Sequence, residues 1–138
     1  KKKKENYSIC RIVILMIYKK HKIGGNSMYL KFDKKADKLI VTMAGELDHH
    51  SAEEVRNVID DRLDRENLNK LILDFSKVNF MDSSGIGVVI GRYKKLSLRD
   101  GKVCLTNVQE AVRRVFELSG MFKIVNLYDS VDEAVENL

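Results

Sequence analysis

The 138-residue chain has no proline, no tryptophan and only two cysteines, Cys10 and Cys104. The cysteines form no Cys-x-x-Cys or Cys/His spacing, which argues against a structural zinc site and suits a reduced, cytosolic protein. The apolar run Ile12-Val13-Ile14-Leu15-Met16-Ile17-Tyr18 is far too short to span a bilayer. No Gly-Lys-Ser/Thr occurs, so a phosphate-cradling loop lacks its lysine. Gly85, Gly87 and Gly91 miss the dinucleotide spacing G-x-G-x-x-G by one residue, and small residues for close helix packing explain them better. The nucleophile elbow G-x-S-x-G is absent too. There are no internal repeats, and the only low-complexity segment is the lysine run at the start.

What remains is ordinary for one globular domain: 44% apolar residues, 33% charged, and enough length for a real core. The net charge of +5 invites a nucleic-acid reading, but its distribution argues against one. Residues 1–27 hold eight Lys/Arg and one Glu, whereas residues 28–138 hold 17 Lys/Arg and 19 Asp/Glu. The basicity belongs to a leader, and no basic stripe marks the domain.

In that leader, lysines precede the apolar run and Lys19-Lys20-His21-Lys22 follow it, without the small-residue cleavage site of a signal peptide. Flanking cations also suit a membrane-surface anchor. The preferred expectation is translated upstream sequence, with a functional start at Met28 and residues 1–27 outside the fold. Lys, Ile, Asn and Tyr dominate the leader, as in AT-rich DNA read through. The codons of Gly24-Gly25 can carry a ribosome-binding GGAGG a short distance before Met28.

From Met28 onward the hydrophobic periodicity predicts the order β-β-α-β-α-β-α-β-α. The expected strands are 28–33, 39–44, 70–75, 102–106 and 124–128, with the first two antiparallel across a polar turn at 34–37. Capping boxes are expected at Ser51/Glu54 and Ser130/Glu133, and a helix start at Asn107/Glu110. Gly101 and Gly120 are expected to end helices. Strands alternating with helices imply an α/β fold: a mixed, mainly parallel five-stranded sheet with about four helices. Functional loops in such sheets gather at the carboxyl ends of the strands. The loops 45–50, 76–84 and 106–107 would bring Asp48, His49, His50, Asp82, Ser83, Ser84, Thr106 and Asn107 to one edge.

Within that edge, Phe80-Met81-Asp82-Ser83-Ser84-Gly85-Ile86-Gly87 places a carboxylate and two hydroxyls where a buried strand stops and a helix starts. A helix start offers unpaired N–H groups and the positive end of a dipole, so a serine there can cap it or carry a phosphate. Composition does not choose between these. Ser83 with His49 and an aspartate also has the residue types of a small serine hydrolase, though a triad is a geometry rather than a composition. The adjacent His49 and His50 have no third ligand motif, so no metal is expected.

These residues resemble the anti-sigma factor antagonists of the STAS family (sulfate transporter and anti-sigma antagonist domains). The likeness rests on Gly45-Glu46-Leu47-Asp48-His49-His50, on the stretch from Phe80 to Lys94, and on Leu118-Ser119-Gly120-Met121-Phe122-Lys123-Ile124. It covers residues 28–138 and is strongest to the sporulation branch, the antagonists of the anti-sigma-F factor. General-stress antagonists usually have Thr where Ser84 stands and lack the His-His pair. The resemblance implies a cytoplasmic, non-catalytic STAS domain, monomeric when free, that binds no nucleic acid and no membrane. It implies that Ser83 is phosphorylated by an anti-sigma factor that is itself a serine kinase, and restored by a phosphatase of the serine/threonine class. The unphosphorylated form binds the kinase and frees the sigma factor. No cofactor is implied for this chain, since ATP or ADP belongs to the partner. The implied partner-binding residues are Asp48, His49, His50, Asp82, Ser83, Ser84, Gly85, Thr106 and Asn107. Ser84 is expected to be a local cap or a contact. A cytosolic domain of an anion transporter is a further reading, which requires a preceding membrane region.

Overall fold

The computed structural model describes residues 21–23 and 28–138. One mixed sheet runs in the order β1-β2-β3-β4-β5-β6. Its strands are β1 (His21–Ile23), β2 (Met28–Lys35), β3 (Lys38–Leu47), β4 (Lys70–Met81), β5 (Lys102–Thr106) and β6 (Asn126–Tyr128). Helices α1 (Ala52–Arg65), α2 (Ser83–Ser97), α3 (Glu110–Ser119) and α4 (Val131–Asn137) connect or follow them, with a 3-10 turn at Met121–Lys123. The five expected strands and four expected helices are all present, in the expected order.

A hairpin opens the domain. β2 and β3 pair antiparallel from Met28↔Gly45 to Lys35↔Lys38, across a two-residue turn in which Ala36 takes φ 57°. β3, β4, β5 and β6 then pair in parallel, as βαβ crossovers require. β1 pairs antiparallel with the outer edge of β2 (His21↔Leu30). Three residues of the segment expected to lie outside the fold therefore join the sheet as a sixth strand. The open edge of β2 offers a row of backbone donors and acceptors, which explains the addition. The rest of the expectation for residues 1–27 concerns 1–20 and 24–27, which lie outside the described residues.

The inner strands alternate between two cores. Leu39, Val41, Met43, Leu71, Leu73, Val103 and Leu105 pack with buried residues of α1, α2 and α3. Ile40, Ile72 and Cys104 point the other way, to Ala134 of α4 with Val131 and Val135. Three helices thus cover one face and α4 covers the other, which is why the strands read as continuous apolar runs. Full burial of a side chain such as Leu71 or Ile72 contributes roughly 1.5–3 kcal/mol.

The helices follow their apolar stripes. α1 buries Val55, Ile59 and Leu63 at four-residue spacing. It ends with Asn67 at φ 53°, while Leu68 N–H donates to Leu63 O (2.9 Å). α3 ends at Gly120 (φ 76°), as expected, and Ser130 Oγ accepts from Glu133 N–H at the start of α4. The end of α2 differs from expectation. Asp100, not Gly101, takes the left-handed conformation (φ 57°), and Gly101 N–H donates to Leu96 O (2.7 Å). Gly101 is required for another reason: a Cβ there would lie 2.1 Å from Asn69 O.

The largest departure is β4. Residues 76–81 were expected to link strand to helix and 45–47 to form a loop, yet both segments are paired strand, up to Leu47↔Met81. Register shifts between Thr42 and Ala44 and between Gly45 and Glu46 each place an extra residue in β4. These bulges break the alternation, so Ser76, Lys77, Asn79 and Phe80 are exposed within a strand.

Candidate functional site: the start of α2 and the turn before α1

The two strands that overrun the sheet carry the site. β3 delivers Asp48-His49-His50 and β4 delivers Asp82-Ser83-Ser84, side by side, because Leu47 and Met81 are register partners. Asp82 N–H donates to Leu47 O (3.3 Å) and fastens the two turns together.

Asp82 is the N-cap of α2. Its backbone is extended, and its Oδ1 accepts from Ser84 N–H at 2.8 Å. Ser84 is therefore not the local cap, and neither is Ser83, the first helical residue. A carboxylate is favoured over a hydroxyl there by the helix dipole. Asp82 O accepts from Gly85 N–H (3.0 Å). Ser83 is exposed, and among the described residues no group hydrogen-bonds its hydroxyl. Gly85 is buried beneath it, where a Cβ would lie 2.3 Å from Met81 Cγ. Gly87 and Gly91 have nothing within 4 Å of an added Cβ, so close packing explains Gly85 but not these two.

The turn before α1 is held from below. Asp48 Oδ1 accepts from His50 N–H (2.9 Å) and Ser51 N–H (3.2 Å). Ser51 is fully buried, and its hydroxyl donates to Glu46 O (3.0 Å). The expected Ser51 capping box does not form, because Ser51 has helical backbone angles and makes no cap bond; Asp48 takes over that work. This leaves His49 exposed above the turn, its ring 3.9 Å from that of His50. His49 Nδ1 lies 3.8 Å from Asp82 Oδ2, an ion pair when the imidazole is protonated. One carboxylate thus caps α2 with one oxygen and faces His49 with the other.

Between α1 and α2 a groove of about 430 Å³ opens beside these residues, lined by His49, Ala52, Glu53, Arg56, Ser84, Gly87 and Val88. Beneath it, buried Arg92 of α2 holds its Nε 2.7 Å from Asp60 Oδ1 of α1. The Nε–H is not aligned with that oxygen, so charge rather than a directed hydrogen bond joins the pair. Burial lowers the guanidinium's pKa, Asp60 raises it, and Arg56 lowers it again. Sequence reasoning missed this pair, although Arg92 on an apolar helical stripe was its signal.

Thr106 and Asn107 do not join this cluster. Asp74, on the α4 face of β4, accepts from Ser76 N–H (3.0 Å), Thr106 Oγ1 (3.3 Å) and Asn107 Nδ2 (3.1 Å). Thr106 is fully buried there. Asn107 takes φ 55° instead of starting α3, whose N-cap is Gln109. Five residues of β3 separate the level of Asp74 from that of Met81, about 17 Å of strand. The edge is therefore two clusters: Asp48, His49, His50, Asp82, Ser83, Ser84 and Gly85 in one, and Thr106 and Asn107 in the other.

The site presents exposed polar groups that a partner could recognise. No imidazole among the described residues hydrogen-bonds the Ser83 hydroxyl, so the nucleophile–base contact of a triad is not made. The described residues contain no group of three or more His, Cys, Asp or Glu placed to hold a metal ion. Burial pushes the Cys104 thiol up to about 12, which keeps it from acting as a nucleophile. No helix among the described residues is long and apolar enough to cross a membrane.

Comparison with known proteins identifies the family. The STAS domain family matches residues 29–134. An anti-sigma F factor antagonist of Paenibacillus polymyxa is 39% identical over 100 residues, 72% of this chain and 86% of that protein. The structure of the antagonist SpoIIAA in its unphosphorylated form superposes with a TM-score of 0.70 at 30% identity, covering 78% of this chain and 94% of that one. The Bacillus cell fate determinant SpoIIAA in its phosphorylated form gives 0.63 at 29% identity, covering 78% and 97%. This chain belongs to the STAS domain family, among its anti-sigma factor antagonists.

Proposed function

We propose that the protein is a partner switch of the sporulation type. Unphosphorylated, it binds an anti-sigma factor that is also a serine kinase and so frees the sigma factor. Phosphorylation of Ser83 by that kinase ends the binding, and a serine/threonine-class phosphatase reverses it. The nucleotide belongs to the kinase, and the antagonist works in the cytoplasm as a binding protein rather than an enzyme. The observation that carries this reading is the exposed, unengaged Ser83 hydroxyl directly after the Asp82 cap. The 39% identity to an anti-sigma F factor antagonist supports the sporulation type, and the SpoIIAA structure in phosphorylated form supports a modifiable surface.

The physics of the switch is local. A phosphate brings about −1.5 to −2 charges at neutral pH. Next to Asp82 it would repel an acidic partner surface and strip an interface of hydrogen bonds made by the free hydroxyl. About 1.4 kcal/mol corresponds to tenfold in affinity, so a coupling of a few kcal/mol suffices. The contact surface in this reading comprises Asp48, His49, His50, Asp82, Ser83 and Ser84; Gly85 supports it from beneath, and Thr106 and Asn107, bonded to Asp74, lie outside it.

The test uses the cognate kinase and ATP. The protein is expected to label on Ser83 with the kinase present and not with ATP alone. Ser83→Ala should bind the kinase constitutively, and Ser83→Asp should bind at least tenfold more weakly. Normal labelling of Ser83→Ala would overturn the assignment.

A further inference from the structure

We propose that His49 is the counter-charge of phosphorylated Ser83, so that phosphorylation draws a proton onto its imidazole. The inference rests on Ser83 being the modified residue. It starts from a difficulty at the head of α2. A helix start is usually a ready anion site because its first N–H groups are unpaired. Here Ser84 N–H is already bonded to Asp82 Oδ1 and Gly85 N–H to Asp82 O. The dipole already faces a carboxylate. A phosphate on Ser83 arrives beside that negative charge and finds few free donors on the helix.

The groups facing this spot come from three places. The turn after β3 supplies His49 and His50, with Asp48 turned down onto its own backbone. α1 supplies Glu53 and Arg56 across the groove, 3.9 Å apart and joined weakly. The β4–α2 junction supplies Asp82, and α2 adds Ser84, Gly87 and Val88 to the groove lining, none of them charged. Among the described residues Arg56 is paired, weakly, with Glu53 and not with Asp82. His49 is the ionisable ring already aimed at Asp82, with Nδ1 3.8 Å from Oδ2.

A protonated imidazole has two donors on opposite sides of the ring. With Nδ1–H towards Asp82, Nε2–H remains for a phosphate oxygen. One ring then spans both anions, and each stabilises the charged form. Histidine suits the role because its charge changes in the physiological range. On this proposal the phosphorylated surface holds the ring as a cation.

The experiment needs no kinase. Phosphoserine is incorporated at position 83 during translation, and the imidazole signals of both forms are followed by NMR between pH 5 and 9. The His49 midpoint is expected to rise by about one pH unit in the phosphoprotein, the shift typical of a new opposite charge within hydrogen-bonding reach. His50 should move less than half as far. The phosphorus signal gives the reciprocal reading: in His49→Gln the second ionisation of the phosphate should shift upward, and in Arg56→Gln much less. A His49 shift below about 0.3 units, or a larger effect of Arg56→Gln, overturns the proposal. If the kinase fails to label Ser83 while these shifts appear, the switch falls and the charge pairing stands.

Discussion

The Met81 side chain occupies the space that a side chain at Gly85 would need. A Cβ added to Gly85 would lie 2.3 Å from Met81 Cγ, 2.4 Å from Sδ and 3.2 Å from Leu47 Cδ2. The first turn of α2 thus sits directly on the paired ends of β3 and β4. Gly85→Ala should destabilise the domain by about 1–3 kcal/mol, the usual range for overpacking. Met81 is flexible, so Met81→Ala in the same chain should recover part of that loss. Urea unfolding of the single and double variants measures both.

The cap at Asp82 is separable from its charge. Asp82→Ala removes the acceptor for Ser84 N–H and should cost about 1 kcal/mol, seen as a lower urea midpoint with unchanged slope. Asp82→Asn keeps a capping oxygen and should stay close to the original stability. Any large effect of Asp82→Asn on kinase binding then reports the carboxylate's charge.

Arg92 and Asp60 should behave as a unit. Removing Asp60 alone leaves a guanidinium with 5% exposure unpaired, and Asp60→Ala should cost about 2–4 kcal/mol. The figure sits at or below the range for fully buried pairs because the Asp60 side chain keeps 24% exposure. Replacing Arg92 by Met at the same time should restore much of the loss. A double-mutant cycle in urea reads the non-additivity.

Acid should reach one surface cluster late. Side-chain contacts with Lys38 and then Lys70 hold the Asp37 carboxyl down from 3.8 to about 2. A folded-state pKa below the unfolded one gives stability that is present above 3.8 and lost as pH falls towards about 2. Asp37 is fully exposed, so the effect is small and weakens with added salt. Asp37→Asn should flatten the stability–pH curve in that window, slightly less stable than the parent at neutral pH and equal to it once the pH falls below about 2.

The order of elements was legible because periodicity reports which face is buried. Val55, Ile59 and Leu63 announce a helix stripe, and Leu71-Ile72-Leu73 announce a strand covered on both sides. The second half of β4 was not legible. Two inserted residues shift its alternation, so Ser76, Lys77 and Asn79 read as a polar link. Caps were misjudged where two polar residues compete locally: Ser51 has the right type, but Asp48 reaches the backbone donors first. The Asp82–Ser83 pairing with the His49 turn was legible as a neighbourhood, from topology alone. That Thr106 and Asn107 belong to Asp74 instead was hidden, because strand overrun is a length that composition does not encode.

The overrun of β3 and β4 also determines access. These two strands run about 17 Å beyond the level where β5 ends and set the Asp82–Ser83 turn out as a headland past that side of the sheet. A modifying enzyme must draw a few residues around its target into a narrow cleft. Here the target is reached by approach from outside, with the core strands and helices left folded.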